Sequence, residues 1–164
     1  MRAARADEVE AIVALVQSAY RGESSRRGWT TEADVLDGQR TDAQEVRETL
    51  PHLLVAERDR ALVGVCAMQP HGDEGHFGMF AVSPDEQGGG VGSALLATAE
   101  ERARGLGLAR VTMWVLWMRR ELIAFYERRG YVDTGKRIPF PHTDPRFGLP
   151  KRDDLEFMLL AKDL

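Results

Sequence analysis

The stretch SPDEQGGGVGSALLATAEE, Ser83 to Glu101, places four glycines between Gly88 and Gly92, directly before an alanine- and leucine-rich helical pattern. Glycine inside a helix costs roughly 1 kcal/mol relative to alanine, so the cluster opposes the helix it introduces. An apolar strand-like run, HFGMFAV, ends just ahead of it at Ser83-Pro84. Strand, glycine turn and helix in that order point to a fold in which sheet and helices alternate. Helix N-termini carry unpaired backbone N–H groups, and glycines let an anion approach them closely. The dipole contributes about 0.3–1 kcal/mol, whereas each charge-assisted hydrogen bond contributes roughly 1.5–3 kcal/mol. The bonds would carry the binding. A flexible linker is the competing reading, and the short turn and strongly periodic helix on either side argue against it.

The remaining elements follow from periodicity. Asp7 to Tyr20 reads as a helix with Val9, Ile12, Val13 and Val16 on one stripe. A polar segment with short helical pieces comes next, Thr30 or Thr31 capping one before Glu32. HLLVAERDRALVGVCAM reads as two strands joined by a charged turn at Arg58 to Arg60. The helix after the glycines should stop at Gly105, and a shorter helix, Glu121 to Arg129, at Gly130. Val111 to Trp117 and LEFMLLA are strands. Between Gly135 and Asp154 lies a proline-rich segment read as a long loop, of the kind that is usually functional.

Composition excludes several classes. A formal net charge of -4 gives no general affinity for nucleic acid or an anionic membrane. The single cysteine, Cys66, lies in an apolar run and reads as a buried small hydrophobe. The N-terminus lacks a signal-peptide pattern and no apolar run approaches a membrane span. A cytoplasmic protein folding as one domain over residues 1–164 is the expectation. No lysine occurs between Ser83 and Glu101, so a Walker loop does not fit. A G-x-G-x-x-G register places Ser93 or Leu95 where its third glycine belongs.

What fits is Q-x-x-G-x-G, as Gln87, Gly90 and Gly92, after the FAV strand. With ELIAFYERRGYVDTG, Glu121 to Gly135, and the order of elements, the sequence resembles the GNAT superfamily of acyl-CoA-dependent N-acetyltransferases over nearly its whole length. The resemblance implies an α/β (α+β) fold, a mixed, splayed β-sheet flanked by helices. It implies acetyl-CoA as co-substrate, no metal, and a small-molecule amine as acceptor. The pyrophosphate would rest on N–H groups of Gly88, Gly89, Gly90, Val91, Gly92 and Ser93, with Gln87 also among the cofactor-binding residues. The backbone of Phe80, Ala81 and Val82 would pair with the pantetheine arm. Two departures stand out: only Met1 to Ala4 precede the first helix, and Arg119 replaces the asparagine often found before the tyrosine helix. Arg119 either reaches a cofactor phosphate or is a solvated first-turn residue. A homodimer is compatible with the pattern.

By the same resemblance Tyr126 protonates the departing thiolate. A phenol of pKa about 10 is neutral at pH 7 and can do so; its other reading is one more aromatic in a stripe with Leu122 and Phe125. An alkyl amine of pKa about 10.4 is almost wholly protonated at pH 7, so desolvation or a base must help. His76 stands where the family often has a glutamate, and serves as base or faces solvent at a strand edge. Glu32 and Asp34 are further candidates. The acceptor pocket is expected between the segments Arg21 to Arg40 and Lys136 to Asp154, with Tyr20, Trp29, Glu32, Phe140, Asp144 and Phe147 as candidate contacts. A non-catalytic acyl-CoA sensor and a protein lysine or N-terminal acetyltransferase are the alternatives to a small-molecule enzyme.

Overall fold

The computed structural model describes residues 1–28, 31–144 and 148–164. In chain order its main elements are β1 (Arg2–Ala3), α1 (Val9–Tyr20), α2 (Gly22–Ser25), β2 (Leu36–Asp37), α3 (Ala43–Thr49), β3 (Leu53–Arg58), β4 (Ala61–His71) and β5 (Glu74–Val82). They continue with α4 (Val91–Gly105), β6 (Arg110–Leu116), α5 (Arg120–Glu127), β7 (Val132–Pro139), β8 (Leu149–Pro150) and β9 (Glu156–Asp163). Seven strands form one sheet in the order β1-β3-β4-β5-β6-β9-β7. It is antiparallel except where β5 and β6 run parallel, so the expected mixed sheet is present.

Both faces of the sheet are covered, because the strands alternate apolar residues that need burial on each side. On one face α4 and α5 bury Leu95, Leu96, Phe125 and Tyr126 against Met68, Phe77 and Met113. On the other, α1 buries Ile12, Val16 and Tyr20 against Val55, Val65 and Ala81. The β3–β4 hairpin closes through Asp59 and Arg60, whose φ values of 50° and 66° suit the tight turn that matches strand twist. Cys66 is fully buried, and burial pushes its thiol up to about 12, in keeping with a core residue. Among the described residues no helix is long and apolar enough to cross a membrane.

Three local expectations are corrected. α4 continues through Gly105, and the left-handed residue that ends it is Gly107, at φ 74°, with the Leu108 N–H returning to Ala103. No helix starts at Thr31; its hydroxyl takes the Ala33 N–H in a turn, and the helix of this region is α3, capped by Asp42. The supposed loop from Gly135 begins as β7, which pairs with β9 up to Pro139. All positions of β7 are exposed, so it carries no alternation to read, and Pro139 sits on a free edge where no ladder bond is lost.

Candidate active site

The site is built where the sheet comes apart. β5 and β6 pair only from Glu74 with Arg110 to His76 with Thr112, and beyond that point both strands run on unpaired with each other. On its other side β5 carries a bulge: Ala67 of β4 faces Gly78 while Val65 faces Ala81. The extra residue is Met79, at φ 43°. Met79 therefore packs with the α1 core, and Phe80 turns to the α4–α5 core.

A cavity of about 240 Å³ opens beside Phe80, lined by Val82, Gln87, Gly88, Gly90, Gly92, Ser93 and, from α1 and α5, Tyr20, Leu122 and Phe125. Gly88 and Gly90 are required by backbone angle, with φ of 85° and 83°. Gly92 is required by space, since a Cβ there would lie 3.1 Å from the Phe80 ring. No side chain caps α4, so its first N–H groups face the cavity's loop without an internal acceptor. Of the residues expected at the cofactor, Ala81, Gly89 and Val91 are not on this lining, and neither is Arg119. The carbonyls of Phe80 and Val82 are engaged, by the Tyr20 hydroxyl and by Gln87 Nε2 respectively. Pairing with a pantetheine arm through those carbonyls would require these side chains to yield.

Arg129 completes the lining, and nothing in the sequence pattern marks it beyond its place at the end of the helical stripe. Its Nη2 donates to Ser93 Oγ at 2.6 Å and its Nη1 to the Phe125 carbonyl at 2.7 Å. The guanidinium lies 3.6 Å above the Phe125 ring. Burial, and then the neighbouring Arg128, lower its pKa, yet it stays a cation. Uncapped N–H groups, glycines that admit close approach and a held guanidinium suit the phosphates of coenzyme A.

Tyr126 lies under this cavity and lines neither of the two cavities described here. Its ring centroid is 5.3 Å from that of Phe125, 6.3 Å from that of Phe80 and 5.7 Å from that of Tyr131. Burial above all, and then Tyr20, raise its pKa well above the ordinary phenol value, so it keeps its proton at neutral pH. Its hydroxyl makes no hydrogen bond among the described residues.

The second cavity, about 400 Å³, lies across the sheet and includes His76, Gly78, Met79, Trp114, Glu32, Arg40 and Phe140 in its lining. Burial, and then His71, lower the pKa of His76, leaving a neutral imidazole able to accept a proton. Glu32 is buried and accepts from Arg21 Nη1 at 2.5 Å and Arg119 Nη1 at 3.0 Å, with Arg40 Nε 3.9 Å away. Burial opposes its ionisation, but Arg119, Arg40 and Arg21 overcome that and hold its pKa below the ordinary value. Glu32 is thus a fixed anion and a poor base. Arg119 points to Glu32 and the Tyr20 ring, 5.2 Å away, and is neither a solvated residue nor part of the glycine cavity. Asp34 is exposed and paired with Arg26 at 2.7 Å.

The two polar segments expected to build this side do meet. β2 pairs with β8, and Lys151 clasps the Ala33 carbonyl at 2.7 Å and Asp37 at 2.8 Å. Asp144 is not on the lining; its N–H donates to Pro141. Trp29 and Phe147 lie outside the described residues. Among the described residues no group of three or more His, Cys, Asp and Glu is placed to hold a metal ion.

Comparison with known proteins agrees with this geometry. The mycothiol acetyltransferase of Streptomyces coelicolor is 35% identical over 80 residues, covering 48% of this chain and 26% of the relative. The chain thus spans about a quarter of that relative's length. A ribosomal-protein-alanine N-acetyltransferase from Brucella melitensis shares the fold, with a TM-score of 0.74 at 21% identity over 99% of this chain and 98% of the other. So does an N-acetylglutamate synthase from Neisseria gonorrhoeae, solved with coenzyme A and N-acetyl-glutamate, at TM-score 0.66 and 20% identity over 99% of this chain and 34% of the other. The family model for the acetyltransferase (GNAT) family matches residues 10–131. This covers well over half of the sequence, and the chain belongs to the acetyltransferase (GNAT) family.

Proposed function

We propose that the protein transfers an acetyl group from acetyl-CoA to the primary amine of a small molecule by direct attack. The observation that carries this is the bulge of β5. Consecutive residues, Met79 and Phe80, line different cavities, one against the polar clasp and the other against the glycine loop. A donor held by the loop and an amine held under the clasp would meet there.

The thioester supplies an activated carbonyl. The amine nitrogen bonds to its carbon, the C–S bond breaks, and the sulfur leaves with the electron pair. His76, neutral at pH 7, takes the proton released by the amine. Tyr126 gives its proton to the thiolate and regains one from solvent. A phenol with a raised pKa is the weaker acid, and Tyr126 lies under the first cavity without lining it, so the transfer requires the thiolate to come within reach of the phenol as the donor seats. Coenzyme A would be held by Arg129 and the N–H groups of Gly90 to Ser93.

The test is thiol release from acetyl-CoA across an amine panel, together with thermal shifts. Acetyl-CoA at a hundredfold excess over Kd should stabilise the protein by about 2.7 kcal/mol, and ATP or NAD should do little. Equal stabilisation by ATP would sink the coenzyme A reading, and binding without turnover of any amine would favour a sensor. Acetylation of protein N-termini but of no free amine would show that the clasp over the second cavity opens.

A further inference from the structure

The second cavity contains a cation whose guanidinium donates to no described group, although its charge adds to the field that keeps Glu32 ionised. Arg40 lines it with its side chain 32% exposed, and its guanidinium rests over the Tyr20 ring at 5.3 Å. Its closest carboxylate oxygen is Glu32 Oε2, at 3.9 Å, beyond hydrogen-bond range. That oxygen already accepts from Arg21 at 2.5 Å, and its partner oxygen from Arg119 at 3.0 Å. The other carboxylate on the lining, Glu45, is exposed and accepts from the Thr41 hydroxyl at 2.8 Å. Among the described residues the Arg40 guanidinium makes no hydrogen bond.

The position of Arg40 is fixed from below. Gln17 on α1 accepts the Arg40 N–H at 3.0 Å through Oε1, and its Nε2 donates to the Gly38 carbonyl at 3.3 Å. Holding the backbone at Gly38 and at the Arg40 N–H anchors the segment that carries the side chain, as a recognition residue needs. A cation–π contact with Tyr20 leaves the guanidinium's donors free and holds it more weakly than a hydrogen-bonded carboxylate would. The Tyr20 hydroxyl reaches the Phe80 carbonyl, so Arg40 stands one tyrosine ring away from the bulge where the amine would react. Trp114, Leu116 and Phe140 give the same cavity an apolar wall.

We propose that the acceptor carries a carboxylate on the same small molecule as its amine, and that Arg40 binds it. The simplest such acceptor is an amino acid whose side chain lies along the apolar wall. A cationic acceptor such as a diamine would place like charge against Arg40. This inference rests on the acetyl-transfer reading for the amine end only; the carboxylate site stands on its own geometry.

The experiment compares matched pairs: phenylalanine with phenethylamine, leucine with isoamylamine, histidine with histamine and lysine with cadaverine. Thiol release from acetyl-CoA gives kcat/KM for each, and calorimetry on coenzyme A-saturated protein gives binding. In at least one pair the carboxylate member should be preferred roughly 10- to 150-fold. In Arg40→Gln that ratio should fall to within about threefold, while acetyl-CoA still raises the melting temperature, showing the variant folded. Turnover of amines with no preference for the carboxylate member in any pair would overturn the inference and leave acetyl transfer standing. Should no amine turn over, calorimetry decides. Carboxylate binding lost in Arg40→Gln would uphold the site against the failed transfer reading, and absence of such binding would overturn it.

Discussion

Replacing Glu32 by Gln removes one charge and almost no volume, so its effect isolates electrostatics from cavity formation. The carboxylate is buried, and its partners Arg21 and Arg119 have side chains only 3% and 12% exposed. Removing one member of such a buried set costs about 3–5 kcal/mol, because the remaining charges lose their counterion and recover little hydration. At about 2–4 °C per kcal/mol for a chain of this size, the melting temperature should fall by about 6–20 °C. Differential scanning calorimetry of wild type and variant measures it. The pH dependence supplies a second check. The folded-state pKa of Glu32 is lowered, so its stabilisation is present above the unfolded carboxylate value of about 4.3 and is lost as pH falls through the folded value. The gap between wild type and variant should therefore narrow below about pH 4. Asp34→Asn, which breaks an exposed pair with Arg26, should change the melting temperature little. A Glu32→Gln loss no larger than that of Asp34→Asn would refute the view that Glu32 anchors the cluster.

Tyr126→Phe should lower kcat by about 10²–10⁴ without weakening acetyl-CoA binding; turnover within a few-fold of wild type would move the acid role elsewhere, with Tyr20→Phe the next variant to assay. Arg129→Met should weaken acetyl-CoA by roughly 10- to 150-fold in calorimetry, and an unchanged Kd would reduce Arg129 to a tie between Ser93 and α5. His76→Gln should abolish the acidic limb of the kcat/KM profile. In wild type that limb should lie below the ordinary imidazole value, since burial lowers the His76 pKa. A limb that persists in the variant would mean that the amine loses its proton by desolvation alone.

What the sequence disclosed follows from which constraints are local. The glycine loop was legible because left-handed φ at Gly88 and Gly90 is a demand of the backbone itself. The hairpin at Asp59 and the α4 and α5 stripes were legible for the same reason: each is written within a few residues. β7 was hidden because a strand exposed on both faces has no pattern to show. Arg129 and Arg40 were hidden because each owes its place to a partner far away in sequence, Ser93 in one case and Tyr20 in the other. Arg119 was singled out for its position, but its partner was not legible. Only the folded chain shows that Glu32, distant along the sequence, lies within reach of it.

Met79 ties these pieces together. A methionine at φ 43° is uncommon outside turns, and unlike Asp59 and Arg60 it closes no hairpin. Without the extra residue, strict alternation from Phe77 would put Gly78 and Phe80 on one face of β5 and Met79 and Ala81 on the other. The bulge lets Gly78 and Met79 share the second cavity while Phe80 joins Phe77, their ring centroids 5.1 Å apart. Phe80 in turn sets the limit on Gly92, whose missing Cβ keeps the start of α4 against the strand. The same step interrupts the pairing with β4, which resumes at Val65 and Ala81, next to the point where β5 and β6 separate. One strained residue thus gives a single strand two working faces at one place. A continuous ladder would leave the glycine loop and the Arg40 cavity without consecutive residues of one strand as their common wall.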